Sequence, residues 1–82
     1  MGNGLAGLPE LREGQAGSVE AMRMELSMRR RLMDLGLVPG TCVRRLQTAP
    51  AGSPIVFEIR GAKIALRRKD AADVLVRVAP WD

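Results

Sequence analysis

Cys42 is the single thiol of this chain, which has neither histidine nor tyrosine. Nucleophilic chemistry needs an activated nucleophile, and the usual activator is an imidazole within hydrogen-bond reach. Ser18, Ser27 and Ser53 have none, and neither does Cys42. Cys42 is expected to be a small buried residue at the start of a strand. Strong transition-metal sites want His or Cys in numbers. The carboxylates Glu20, Glu25, Asp34, Glu58, Asp70 and Asp73 are scattered in no ligand spacing. No glycine-rich segment ends in Lys followed by Ser or Thr, so a phosphate-binding loop is absent. The inventory implies no catalytic residue, no cofactor and no metal held by one chain alone. A metal shared between chains stays open.

Binding chemistry is better supplied. Basic side chains cluster as Arg29-Arg30-Arg31, Arg44-Arg45 and Arg67-Arg68-Lys69, in a chain of net charge +4. They are either solvated faces or a docking surface for carboxylates, where the guanidinium offers planar, bidentate hydrogen bonding. Such charge speeds and orients encounter more than it adds affinity. Phe57 and Trp81 are the only aromatics, and base-stacking binders of single strands rely on rings; nucleic acid is not expected as a partner. A second feature accompanies the charge. If Met24, Met28, Leu32 and Leu35 form the inward stripe of a helix, Leu26 and Met33 point the other way, with Arg29 and Arg30 beside them. They either cover a sheet edge or loop, or form an apolar strip rimmed by arginine, the makeup of a protein interface. The candidate partner-binding residues are Leu26, Arg29, Arg30, Met33, Arg44 and Arg67.

The elements that position these residues follow from period and punctuation. At 82 residues the chain forms one small domain with a thin core, built from aliphatic side chains. One cysteine excludes an internal disulfide and fits a reducing compartment. No apolar run approaches the roughly 20 residues that span a bilayer, and the first residues lack a signal-peptide pattern. A cytoplasmic protein is expected, touching a membrane only through a partner. Residues 1–7 are glycine-rich and expected to be flexible, with the folded domain over 8–82. Leu8 and Leu11 form an apolar lid. Ala16–Met22 is a first strand, with Val19 and Ala21 on one face. Met24–Leu35 is a helix, of which Ser27 could cap a shorter version; Gly36 supplies the left-handed residue past its end, and Pro39 lies just beyond. Thr41–Ala49 is a strand whose broken alternation at Val43 and Leu46 fits a bulge. Pro50–Pro54 reverses the chain. Ile55, Phe57 and Ile59 alternate in a third strand, and Ala62, Ile64 and Leu66 in a fourth. Lys69–Asp73 is a helical turn, and Val74–Val78 a fifth strand. Trp81 could plug the barrel end beside Leu8. About five short strands with close turns favour a mainly β fold, a small SH3-like barrel closed to protect its edges, with one helix inserted after the first strand.

The run Arg29-Arg30-Arg31-Leu32-Met33-Asp34-Leu35-Gly36-Leu37-Val38-Pro39-Gly40-Thr41 resembles the signature segment of the FeoA family. Ala49–Ile55 resembles its hairpin, Gly61–Arg68 its fourth strand, and Leu8, Leu11 and Gly14 match in order and spacing. The resemblance spans about residues 8 to 78. It implies an SH3-like barrel and a cytosolic companion of FeoB, a membrane ferrous-iron transporter with a cytosolic G-protein domain. It also implies a place among transition-metal-binding proteins of iron uptake, and a role in binding and regulating the transporter without catalysis. Weak homo-oligomers are compatible with it. The alternative is the related SH3-like regulatory domain of DtxR-type metal-dependent repressors, although no DNA-binding helices precede the barrel here.

Overall fold

The computed structural model describes residues 5–79. Strands β1 (Leu5–Gly7), β2 (Ala16–Met22), β3 (Cys42–Thr48), β4 (Ile55–Ile59), β5 (Ala62–Leu66) and β6 (Val74–Val78) form one sheet in the order β1-β6-β2-β3-β4-β5. Every neighbouring pair is antiparallel. Helix α1 (Leu26–Asp34) follows β2, a short α2 (Arg68–Ala71) precedes β6, and a 3-10 turn covers Leu8–Glu10. Two expectations are corrected. There are six strands among the described residues, because Leu5–Gly7, expected to lie in a flexible segment, pairs along β6. The helix therefore follows the second strand. The ladder is also not closed: β1 and β5 are its two ends, with no pairing between them among the described residues. Trp81 lies outside the described residues, as do residues 1–4.

The core sits on one face of this curled sheet. Val19, Val43, Ile55, Phe57, Ile59, Val74 and Val76 are all buried there, joined by Leu8, Leu11, Met24, Leu32 and Leu37. Phe57 is flanked by Ile55 and Ile59 on the same side of β4, as strict alternation requires. The β4–β5 hairpin closes through Arg60 and Gly61, at φ 52° and 83°, the two left-handed residues of a twist-matched two-residue turn. Two bulges adjust the pleat. The register of β3 against β4 shifts between Arg45 and Gln47, which accounts for Val43 being buried while Leu46 is half-buried. A second shift falls between Val19 and Ala21 against β6. It turns Ala21 to solvent although Val19 is buried, against the shared face expected for them.

The helix end explains a further correction. Gly36, at φ 107°, donates its N–H to Met33 O at 2.9 Å, and Leu37 donates to Leu32 O at 3.0 Å. This is the Schellman pattern, whose apolar contact joins the residue after the glycine to the helix's last inward residue. Leu37 and Leu32 are both buried. Leu37 thus completes the inward stripe, and Leu35, expected there, is exposed. At the other end the helix is shorter than expected. Glu25 takes the capping position without a side-chain cap, and Ser27 lies inside the helix. Met24 is buried from the segment just before it.

One polar strap holds the lid on this core. Arg45, on β3, donates from one guanidinium nitrogen to Pro9 O at 2.9 Å and Leu11 O at 2.6 Å, and from the other to Thr48 Oγ1. It therefore binds the backbone around Leu8 and Leu11 to the sheet. Hydrogen bonds from a charged donor contribute more than neutral ones. Arg45→Met keeps the aliphatic stem and removes the bonds. It should lower stability by about 2 kcal/mol, read as a fall in thermal midpoint of roughly 10 °C in a domain this small, whereas Arg30→Met should leave the midpoint nearly unchanged.

Candidate protein-docking surface

Four large apolar side chains are exposed among the described residues, and three belong to α1 or its cap: Leu26 at 56%, Met33 at 40% and Leu35 at 51%. Helical geometry sorts them. Leu26 and Met33 are seven residues apart, two turns and about 10 Å along the axis, on nearly the same azimuth. Leu35 lies on the opposite side. Arg30 is exposed and stands four residues after Leu26 and three before Met33, so it shares their face. Leu26, Arg30 and Met33 therefore form one solvent-facing patch.

The other expected residues occupy different places. Arg29 is half-buried and donates to Met24 O at 3.3 Å; it ties the entry of α1 to the buried Met24 segment. Arg44 is half-buried on β3 and reaches Gly14 O in the loop before β2. Arg67 pairs with Asp70 at 3.4 Å across the start of α2. Arg68, beside it, donates twice to Gly52 O at 3.0 and 3.1 Å, and its N–H meets Ser53 Oγ at 3.1 Å. The basic cluster at 67–69 thus includes a residue that fastens the β3–β4 hairpin tip.

A groove of about 240 Å³ lies between α1, the end of β5 and α2, lined by Met28, Arg31, Leu32, Leu35, Ala65, Leu66, Arg67 and Asp70. It brings Arg31 and Arg67 to one place. Sequence reasoning missed it because Leu35 was assigned to the inward stripe; the Gly36-Leu37 pair that ends the helix carries the signal that reassigns it. No group of three or more potential metal ligands occurs among the described residues. No helix among them is long and apolar enough to cross a membrane.

A model of the FeoA domain matches residues 7–78. The chain belongs to the FeoA family. This FeoA-family chain is 30% identical over 71 residues to the Fe(2+) transport protein A/Fe(2+) transporter FeoB fusion protein of Porphyromonas gingivalis. The match takes in 87% of this chain, which spans only 8% of that relative's length. Its fold superposes on FeoA of Chlorobium tepidum with a TM-score of 0.86 at 38% identity, covering 93% of this chain and 72% of that one. It also matches FeoA of Stenotrophomonas maltophilia, solved with zinc and described as a prokaryotic SH3 domain protein, with a TM-score of 0.75 at 31% identity over 85% of this chain and 87% of that one. The fold is SH3-like, as expected. A manganese-dependent transcriptional repressor shares the fold alone, at 20% identity and a TM-score of 0.83, over 96% of this chain and 44% of the repressor. FeoA domains are non-catalytic accessory domains of ferrous-iron transport, and this chain is one of them.

Cys42 requires the last correction. It opens β3 but is exposed, while the buried residue at this point is its neighbour Thr41. Alternation accounts for the swap, since Val43 must face the core. An exposed thiol reacts without unfolding. Native protein should therefore consume about one equivalent of Ellman's reagent at the rate seen in denaturant, within a factor of about ten; a thiol released only on unfolding would contradict the placement.

Proposed function

We propose that this FeoA-family chain docks on the cytosolic G-protein domain of a FeoB-type ferrous-iron transporter through the exposed face of α1, and regulates that transporter without chemistry of its own. The observation that carries this reading is the solvent-facing patch of Leu26 and Met33 with Arg30 between them. Apolar anchors with an arginine rim match the composition of interface centres, and methionine adapts its shape to a partner. The Porphyromonas gingivalis relative supports the choice of partner, because there a similar segment shares one polypeptide with the transporter. Linkage of that kind raises the effective concentration of one part at the other to about the millimolar range, so even a weak contact is occupied. On this reading the chain works in the cytoplasm and meets a membrane only through its partner.

The test is a titration of the purified chain against the transporter's cytosolic G-protein domain, prepared nucleotide-free, with GDP and with a GTP analogue. Binding in at least one state is expected; no binding in any of them would end the proposal. Leu26→Asp should weaken binding by about 30-fold or more. The substitution suits the fold, since a carboxylate at the first helical position favours the positive end of the helix dipole. Met33→Gln should cost less, about tenfold. Both variants should keep dispersed two-dimensional NMR spectra, and unchanged affinity in both would remove this face from the interface.

A further inference from the structure

The sheet ends at β5. Among the described residues, strand β5 has β4 on one flank and no strand on the other. Its backbone polarity follows from the hairpin. A two-residue loop closes on a hydrogen-bonded pair, here Ile59 with Ala62, and the ladder bonds then recur at Ile64 and Leu66. Lys63 and Ala65 therefore turn their N–H and C=O groups away from β4. Among the described residues no loop, cap or side chain bonds to them. Both are exposed, so the edge presents alternating donors and acceptors to solvent, the pattern that an added strand reads.

What surrounds this edge selects the occupant. The groove at the C-terminal end of β5 has an apolar wall of Met28, Leu32, Leu35 and Leu66, and Arg31 and Arg67 stand at it with Asp70. Lys63 adds a third cation along the strand. A second copy of this chain is a poor match. Antiparallel self-pairing that uses the outward groups sets Lys63 against Lys63 in one register and Lys63 against Arg67 in another. The register that sets Lys63 against Ala65 brings Arg60 of one copy toward Arg68 of the other. Like charges opposite one another destabilise a pair of strands. A strand bearing carboxylates meets these cations with opposite charge, in competition with Glu58 across from Lys63 and with Asp70 beside Arg67.

We propose that the free edge of β5 accepts an extended, acidic segment of a partner protein as a seventh strand, with an apolar side chain seated against Leu35 in the groove and carboxylates on Lys63, Arg31 and Arg67. This surface is separate from the Leu26–Met33 face, and its failure would leave the docking reading above untouched.

The probe is the synthetic peptide acetyl-Glu-Val-Glu-Val-Glu-Val-amide, titrated into isotope-labelled full chain. Amide signals of Lys63 and Ala65 should shift, and at saturation their hydrogen exchange should slow by about tenfold or more. The same peptide with lysine for glutamate should not bind. A version N-methylated at alternate residues, unable to complete the ladder, should lose at least about tenfold in affinity; equal affinity would overturn strand addition. The double variant Arg31→Ala, Arg67→Ala should weaken the peptide by about tenfold. Ala65→Pro removes an outward N–H without touching the β4 ladder, and should abolish binding while the remaining spectrum stays in place. Three further results would each overturn the proposal. One is the absence of any shift at Lys63 and Ala65 up to about 2 mM peptide. Another is concentration-dependent shifts at those amides without peptide, which would mark self-pairing. The third is binding of an oligothymidylate that perturbs Arg31 and Arg67 in preference to the peptide.

Discussion

A guanidinium bonded to three acceptors holds this small fold shut. Among the described residues the core has one aromatic side chain, Phe57, and the single cysteine allows no internal cross-link, so its stability rests on aliphatic surface kept from water. The sheet supplies one wall of that core. Much of the remainder comes from Leu8 and Leu11, carried on the single 3-10 turn of Leu8–Glu10 and the residue after it. Arg45 satisfies the carbonyls of Pro9 and Leu11 from below and fastens itself to Thr48. A long basic side chain can do this because its stem packs on apolar surface while its head bonds the backbone. An arginine in the middle of β3, which composition would assign to the surface, is part of the frame.

The same economy divides the arginines into two kinds. Arg29, Arg45 and Arg68 spend their donors on backbone carbonyls of Met24, of the lid and of Gly52. Arg30, Arg31 and Arg67 keep their side chains at the surface, Arg31 and Arg67 together at the groove and Arg30 on the Leu26–Met33 face. Charge counted along the sequence overstates the binding surface; charge sorted by what each guanidinium touches does not. The helix has exposed apolar side chains on two sides because its last turn ends on Gly36, which sends Leu37 inward and leaves Leu35 outside.

Much of the strand pattern was legible from the residues. Alternation in Ile55–Ile59 and Val74–Val78 is strict, the reversal at Pro50–Pro54 is dense in turn formers, and the ends of β2 and β6 fell where expected. The errors share a cause. Val19 and Ala21 were given one face, and a bulge separated them; Cys42 was buried by its position, and pleat parity gave that place to Thr41. Each depends on which face packs on the core at that point: the bulge is set by register with a neighbouring strand, and the place of Cys42 by alternation once Val43 is known to face inward. β1 was invisible for the same reason, since Leu5-Ala6-Gly7 has no strand character until β6 lies beside it. The apolar patch at Leu26 and Met33 was legible because a helix face needs no partner to define it. The groove was not, because it is made where α1, β5 and α2 meet.

The pairing of Leu5 with Arg77 has a consequence for how such a unit is carried. The described chain enters and leaves through adjacent strands, about 5 Å apart, so both junctions occupy a single spot on the surface. A unit with that layout can be spliced into a larger polypeptide, at an end or within a loop, with little distortion of its host.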